Sequence, residues 1–269
     1  MICATPIGNL GDASPRLAEA LRSADVVYAE DTRRTAVLLR HLGVSPTVRS
    51  FFVGNEQDRA AELGERLAGG DTVALVTDAG TPGVADPGVS AVRAAQECGA
   101  VVTIVPGPSA VTAAIAVAGF ASDRFAFEGF LPRKGALRAH RLEQLAAEDR
   151  TIVLFSATRR AGEDLEALAA ALGAERRVVV ARELTKVHEE VWRGTLAAAA
   201  EHWSGEERRG EFTIVVAPRP PGAPSLDQAL LAVTAAVESG ASLSAAVRSV
   251  AEDLGVPRRA LYEAALRGR

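Results

Sequence analysis

Short apolar, β-branched runs alternate along most of the chain with amphipathic stretches, and this rhythm predicts the elements. Strands are expected at residues 25–29, 72–76, 101–105, 151–155, 177–181 and 212–216, each bounded by polar or turn residues. Amphipathic segments at 15–24, 87–98 and 137–148 separate them, as helical crossovers between strands require. The fold class is therefore α/β, with mostly parallel sheets covered by helices. Ser14-Pro15, Asp86-Pro87 and Pro108-Ser109 mark helix starts, the first two with proline at the first helical position.

The rhythm pauses near 119–123 and a second block begins at Phe125. This suggests an N-terminal α/β domain over 1–121 and a second over 122–218. A proline-rich linker, 219–224, then sets off a tail, 225–269. In the tail Leu226, Leu230, Val233 and Val237 repeat the spacing of Leu243, Val247, Val250 and Leu254, the stripe of two amphipathic helices. A third helix from about Arg258 follows Gly255-Val256-Pro257, so the tail reads as helix, tight turn, helix. With five acidic and five basic residues, it suits a packing module as well as a nucleic-acid binder.

Composition narrows the function. Apolar residues make up 48% and charged ones 24%, as in folded globular proteins. The longest apolar stretch, 110–120, falls short of the roughly 20 residues of a membrane helix, and the N-terminus lacks a secretory pattern, so a cytoplasmic protein is expected. Cys3 and Cys98 are expected as buried free thiols. The four scattered histidines suggest neither a metal site nor a catalytic triad. Net charge is −4, yet residues 32–55 hold four arginines and no acid, and 129–160 hold seven Lys or Arg against three acids. Two basic patches thus sit within an acidic chain.

Candidate chemistry gathers in loops after strands. Thr77-Asp78-Ala79-Gly80-Thr81-Pro82-Gly83-Val84-Ala85-Asp86-Pro87-Gly88 combines glycine, which permits positive φ and close ligand approach, with stiffening proline, at the carboxyl end of a strand. Pro106-Gly107-Pro108-Ser109-Ala110 opens a helix whose free amides suit an anionic group, although a simple helix cap would read the same way. Thr5-Pro6-Ile7-Gly8-Asn9-Leu10-Gly11-Asp12 is neither a dinucleotide fingerprint nor a P-loop.

These loops, in order with Ala29-Glu30-Asp31-Thr32-Arg33-Arg34-Thr35, Phe127-Glu128-Gly129-Phe130-Leu131-Pro132-Arg133-Lys134 and Ala181-Arg182-Glu183-Leu184-Thr185-Lys186, resemble the ribosomal RNA small subunit methyltransferase I family. The likeness covers residues 1 to about 217 strongly and extends to the tail. It implies two tetrapyrrole-methylase-type α/β domains with S-adenosylmethionine in the cleft between them, a homodimer, and 2′-O-methylation of a decoding-centre cytidine. The acceptor would be small-subunit ribosomal RNA or the assembled subunit.

Carried over by motif, cofactor contacts fall on Ile7, Gly8, Asp78, Gly80, Thr81, Ser109 and Ala110, with Phe155 and Leu184 closing over the adenosine. Glu30, Asp31 and Glu183 are the candidate bases, and Lys186 the group that stabilises an alkoxide or accepts its proton. Arg33, Arg34, Arg133, Lys134, Arg138, Arg159 and Arg160 would meet phosphates. Phe51, Phe52 and Phe130 are either core residues or platforms for a splayed base.

Three departures from the family pattern stand out. Only Met1 to Cys3 precede Ala4-Thr5-Pro6, so either the start is truncated or the first strand is short. Phe155-Ser156-Ala157-Thr158-Arg159-Arg160 stands where the family more often has Glu-Ser-Pro-His-Arg. Phe51-Phe52-Val53-Gly54-Asn55-Glu56 keeps only the Asn-Glu of a His-rich segment. Tetrapyrrole methylation and a non-catalytic nucleic-acid-binding regulator are the competing functions.

Overall fold

The computed structural model describes residues 1–204, 210–219 and 226–267. Its contacts divide the chain into two units: Met1–Ala113 with Leu184–Val187, and Ala114–Glu183 with His188–Arg269. Linker residues 220–224 lie outside the described residues.

The first unit holds β1 (Ile2–Cys3), β2 (Val26–Ala29), β3 (Val48–Ser50), β4 (Val73–Val76) and β5 (Ile104–Val105) in the order β3-β2-β4-β1-β5. All their pairings are parallel. Every residue of β2 and β4 is buried, so this sheet needs helices on both faces. Val27, Ala29, Ala74 and Val76 pack on Leu17 and Leu21 of α1 (Pro15–Ser23) and on Leu38 and Leu39 of α2 (Thr32–Leu42). The alternate positions, Val26, Tyr28, Val73 and Leu75, pack on Leu63 of α3 (Glu56–Ala68) and Ala91 of α4 (Val89–Glu97). Each fully buried leucine here contributes about 1.5–3 kcal/mol.

Ser14 caps α1 by accepting from the Leu17 amide at 3.1 Å, with Pro15 in the first turn as expected. The start expected at Asp86-Pro87 is corrected: α4 begins at Val89, because Gly88 takes φ 148° and turns the chain two residues later. Cys3 is buried, whereas Cys98 is exposed just past the end of α4, where the apolar stripe stops. The helix α5 (Ala110–Ala118) starts directly after Ser109.

The second unit's sheet comprises β6 (Phe125–Phe130), β7 (Thr151–Ser156), β8 (Arg177–Arg182), β9 (Glu190–Thr195) and β10 (Phe212–Val216), in the order β6-β7-β10-β8-β9. Only β6 and β7 are parallel. The expectation of mostly parallel sheets therefore holds for the first sheet and fails for the second. There β8 returns directly as β9 with no helix between them, which forces an antiparallel pair. One face packs Ile152, Leu154, Val178, Val180 and Ile214 on Leu165 and Leu168 of α7 (Ala161–Leu172), and on Leu196 of α8 (Leu196–His202). The helix α6 (Gly135–Ala147) adds Leu145 to the same core.

The tail forms α9 (Leu226–Glu238), α10 (Leu243–Leu254) and α11 (Arg258–Arg267). Val233, Val247, Val250 and Leu261 make a small core of their own, as the repeated stripe requires. Gly240 and Gly255 turn the chain with positive φ. No helix among the described residues is long and apolar enough to cross a membrane.

One polar group lies deep in the second unit. Asp164 is 2% exposed and accepts from Ser156 Oγ at 2.6 Å, Arg138 Nη1 at 2.7 Å and Arg160 Nη2 at 3.2 Å. Removing that carboxylate takes the shared acceptor from two partly buried guanidiniums and from the buried Ser156 hydroxyl. Asp164→Ala is expected to cost about 1–3 kcal/mol, read as a lower urea midpoint. An unchanged midpoint would mean the network contributes nothing to stability.

Candidate active site

The carboxyl ends of parallel strands are where an α/β sheet offers loops to a ligand. In the first unit those ends carry the motif loops. Thr5, after β1, exchanges two main-chain hydrogen bonds with Gly80, after β4, at 2.8 and 3.1 Å. The Thr5 hydroxyl donates to the Thr77 carbonyl at 3.1 Å. Gly80 adopts φ 82°, and a β-carbon there would lie 3.7 Å from the Ile7 side chain. Gly107, after β5, is pressed against Ala4, whose Cβ would stand 3.1 Å from any side chain at that glycine. Three loops from adjacent strands, β4, β1 and β5, are thus held together, and they contain Ile7, Gly8, Asp78, Gly80, Thr81, Ser109 and Ala110.

Strand β2 adds acid chemistry. The Asp31 amide donates to Asp78 Oδ1 at 3.0 Å, while the Asp78 amide donates to Glu30 Oε2 at 3.2 Å. Arg34 Nη1 lies 3.2 Å from Asp78 Oδ2. Burial raises the Glu30 pKa; the Asp78 amide opposes that shift and the Asp78 carboxylate adds to it. Asp31 is different. Its carboxylate caps α2 through the Arg33 amide at 2.8 Å and grips the Arg33 guanidinium, and these bonds lower its pKa. A carboxylate held ionised by an arginine is a poor proton acceptor, so of the two Glu30 is better suited to act as a base.

The segment Leu184–Val187 groups with this unit. A β-carbon on Gly8 would meet Lys186 Cγ at 2.4 Å and the Leu184 carbonyl at 3.0 Å, so Lys186 lies directly against the first loop. The backbone here is strained: Glu183 and Thr185 have φ of 51° and 66°, and Ala85 in the β4 loop has φ 63°. These are the only non-glycine residues with positive φ among the described residues, and all lie in motif loops. Such strain clusters where surrounding structure over-determines a functional backbone.

Other candidates lie in the second unit or at the surface. Glu183 belongs to the second unit, where its carboxylate accepts from the Glu211 amide at 2.8 Å. Phe155, also in that unit, packs on Phe127 and Phe130 at 5.0 and 5.5 Å between ring centres. Arg138 and Arg160 turn inward to Asp164 and to the carbonyls of Leu131 and Pro132, so their guanidiniums brace a loop. Arg33 and Arg34 are largely exposed, as are Arg133, Lys134 and Arg159.

Sequence reasoning missed two groups. Thr77 Oγ1 is buried at the site without a protein hydrogen-bond partner. Glu56 accepts from the Gly88 amide at 3.2 Å and from Ser90 Oγ at 2.7 Å, anchoring the far end of the β4 loop; the hydroxyl keeps its pKa low. The only sequence signal for Glu56 was its survival in an otherwise altered segment.

Residues 1–200 match the family of tetrapyrrole (corrin/porphyrin) methylases. A ribosomal RNA small subunit methyltransferase I from Synechocystis is 43% identical over 98% of this chain and 96% of its own length. One from Mycobacterium tuberculosis is 44% identical over 100% and 95%. The chain belongs to the ribosomal RNA small subunit methyltransferase I family. The wider fold likeness reaches a uroporphyrin-III C-methyl transferase from Thermus thermophilus, solved with S-adenyl homocysteine: TM-score 0.53, 21% identity, 80% of this chain and 94% of that one. In this methyltransferase family member the donor set suits S-adenosylmethionine. An exposed glycine loop, a helix start, an orphaned threonine hydroxyl and a carboxylate pair match its mix of carboxylate, hydroxyl and cationic groups.

Gly8→Ala tests the packing of Lys186 on the first loop. The added carbon must displace Lys186 or the Leu184 carbonyl. Calorimetry should show S-adenosylmethionine affinity reduced about tenfold or more with thermal stability nearly unchanged. Undiminished affinity would detach this contact from cofactor binding.

Proposed function

We propose that this methyltransferase moves the methyl group of S-adenosylmethionine onto the ribose 2′ oxygen of a cytidine in small-subunit ribosomal RNA. The supporting observation is the convergence of three glycine- and proline-rich loops with Glu30 and Asp78 at one edge of a parallel sheet. Identity of over 40% to ribosomal RNA methyltransferases, against 21% to a tetrapyrrole methylase, favours RNA over a tetrapyrrole acceptor. The acceptor is naked RNA or an assembled small subunit. The working unit is a cytoplasmic homodimer, as the family resemblance implies.

The cofactor supplies a methyl carbon made electrophilic by its sulfonium, so the protein's main task is alignment. Ile7, Gly8, Gly80 and Thr81 would form the floor against which it rests, with Ser109 and Ala110 offering helix-start amides to its carboxylate. Asp78, fixed by the Asp31 amide and Arg34, would accept from hydroxyls and balance positive charge. The acceptor hydroxyl is a weak acid. Glu30, with a raised pKa and held by the Asp78 amide, takes its proton as the new bond forms. Lys186, seated on the Gly8 loop, stabilises charge growing on the oxygen.

The decisive experiment is transfer of labelled methyl from S-adenosylmethionine to small ribosomal subunits that lack the modification, followed by nuclease mapping. Label on one cytidine ribose is expected. Bound cofactor with no label on RNA would overturn the proposal.

A second measurement concerns the base. Protonated Glu30 cannot accept a proton, so the rate should fall as pH drops through its raised pKa. Glu30→Gln should lose about 100-fold or more in kcat and flatten that acid limb. An acid limb that persists in Glu30→Gln would assign the base elsewhere.

A further inference from the structure

Two adjacent phenylalanines at the end of β3 have opposite fates. Phe51 is 1% exposed and packs edge-on against Tyr28, with ring centres 6.1 Å apart. Phe52 is 45% exposed, and Val53 beside it 79%. An aromatic ring left half exposed at the ligand edge of a sheet adds little to the core, yet its turn is tightly built. The Phe52 amide donates to Asn55 Oδ1 at 2.8 Å, and the Asn55 amide returns to the Phe52 carbonyl at 2.9 Å. Asn55 Nδ2 donates to Ser50 Oγ at 3.1 Å, fastening the turn to β3. The ring lies over Gly54, where a β-carbon would come within 2.6 Å of Phe52 Cε2. Gly54 therefore serves as a seat for the ring.

Register places this ring. The Phe51 amide donates to the Ala29 carbonyl at 2.7 Å, continuing the β2–β3 ladder, so Phe52 stands at the strand end next to Glu30-Asp31. Neighbouring strands are about 4.8 Å apart. Exposed Arg33 and Arg34 open the helix after Asp31, and residues 32–55 carry four arginines and no acid. An exposed ring one strand over from Glu30-Asp31, and from the exposed arginines that follow them, matches the parts of a nucleotide: base on the ring, phosphates on the arginines, ribose toward Glu30. One ring and one valine make too small a patch for a stable protein interface.

We propose that Phe52 is the stacking platform for the base of the acceptor nucleotide, an assignment that rests on the RNA substrate proposed above. Loss of a stacked base contact by alanine substitution weakens binding by about tenfold or more. Phe52→Ala should raise KM for small ribosomal subunits by about that factor, with S-adenosylmethionine affinity unchanged. Phe52→Trp should restore the KM, and its added fluorescence should be quenched by oligocytidylate but not by an abasic ribose-phosphate oligomer. An unchanged KM in Phe52→Ala together with no base-dependent quenching overturns the proposal. Conversion of a dimer to a monomer by Phe52→Ala would also overturn it, assigning the ring to a second copy of the chain. If the wild-type protein methylates no RNA, the substrate reading fails on its own, and the oligocytidylate titration still decides whether the ring meets a base.

Discussion

At the ends of two neighbouring parallel strands, each main-chain amide is satisfied by the other strand's carboxylate: Asp31 N–H by Asp78, and Asp78 N–H by Glu30. Much of the site depends on this clasp. A parallel ladder stops abruptly at its carboxyl end and leaves donors that must find partners. Using acidic side chains as those partners satisfies the backbone and places two carboxylates side by side at the ligand edge. It also draws Arg34 toward Asp78. Fold termination and candidate chemistry are here the same set of hydrogen bonds.

The clasp also separates three acids that look alike in sequence. Asp31 is spent on a helix cap and an arginine. Asp78 is oriented by an amide and a guanidinium. Glu30 is drawn toward neutrality, because burial acts on it more strongly than its partners do. Environment assigns roles that residue type leaves open, since a carboxylate's basicity follows from desolvation and neighbouring charge.

The first sheet was legible in the sequence because its central strands are apolar on both faces and each is followed by a helix. The tail was legible because its stripe repeats. Strand β3 has three residues, too few to show a period. β6 shifts register between Phe127 and Phe130, and β9, an edge strand of mixed polarity, carries too little apolar signal. The antiparallel order of the second sheet followed from loop lengths that periodicity does not report. Loop motifs located the candidate site well, since glycine and proline record backbone demands directly. Partnership was invisible: nothing local distinguishes Arg138 and Arg160, turned in to Asp164, from Arg33 and Arg34, turned out to solvent.

That sorting of arginines bears on how an acidic chain can approach RNA. With a net charge of −4, the far field of the molecule repels a polyanion. At physiological salt, however, charges are screened beyond about 8 Å, so what RNA meets on contact is the local patch. Residues 32–55 carry four arginines and no acid, with Asp31, Asp78 and Glu62 from outside the stretch pairing with three of them, and the two exposed ones at the start of α2 stand beside the acid pair that would work on the ribose. Positive charge gathered in local stretches gives attraction in few orientations, whereas an evenly basic surface would hold RNA anywhere. The acidic balance of the chain outside the two basic stretches thus favours selectivity: it disfavours contacts that lay the RNA backbone on those surfaces.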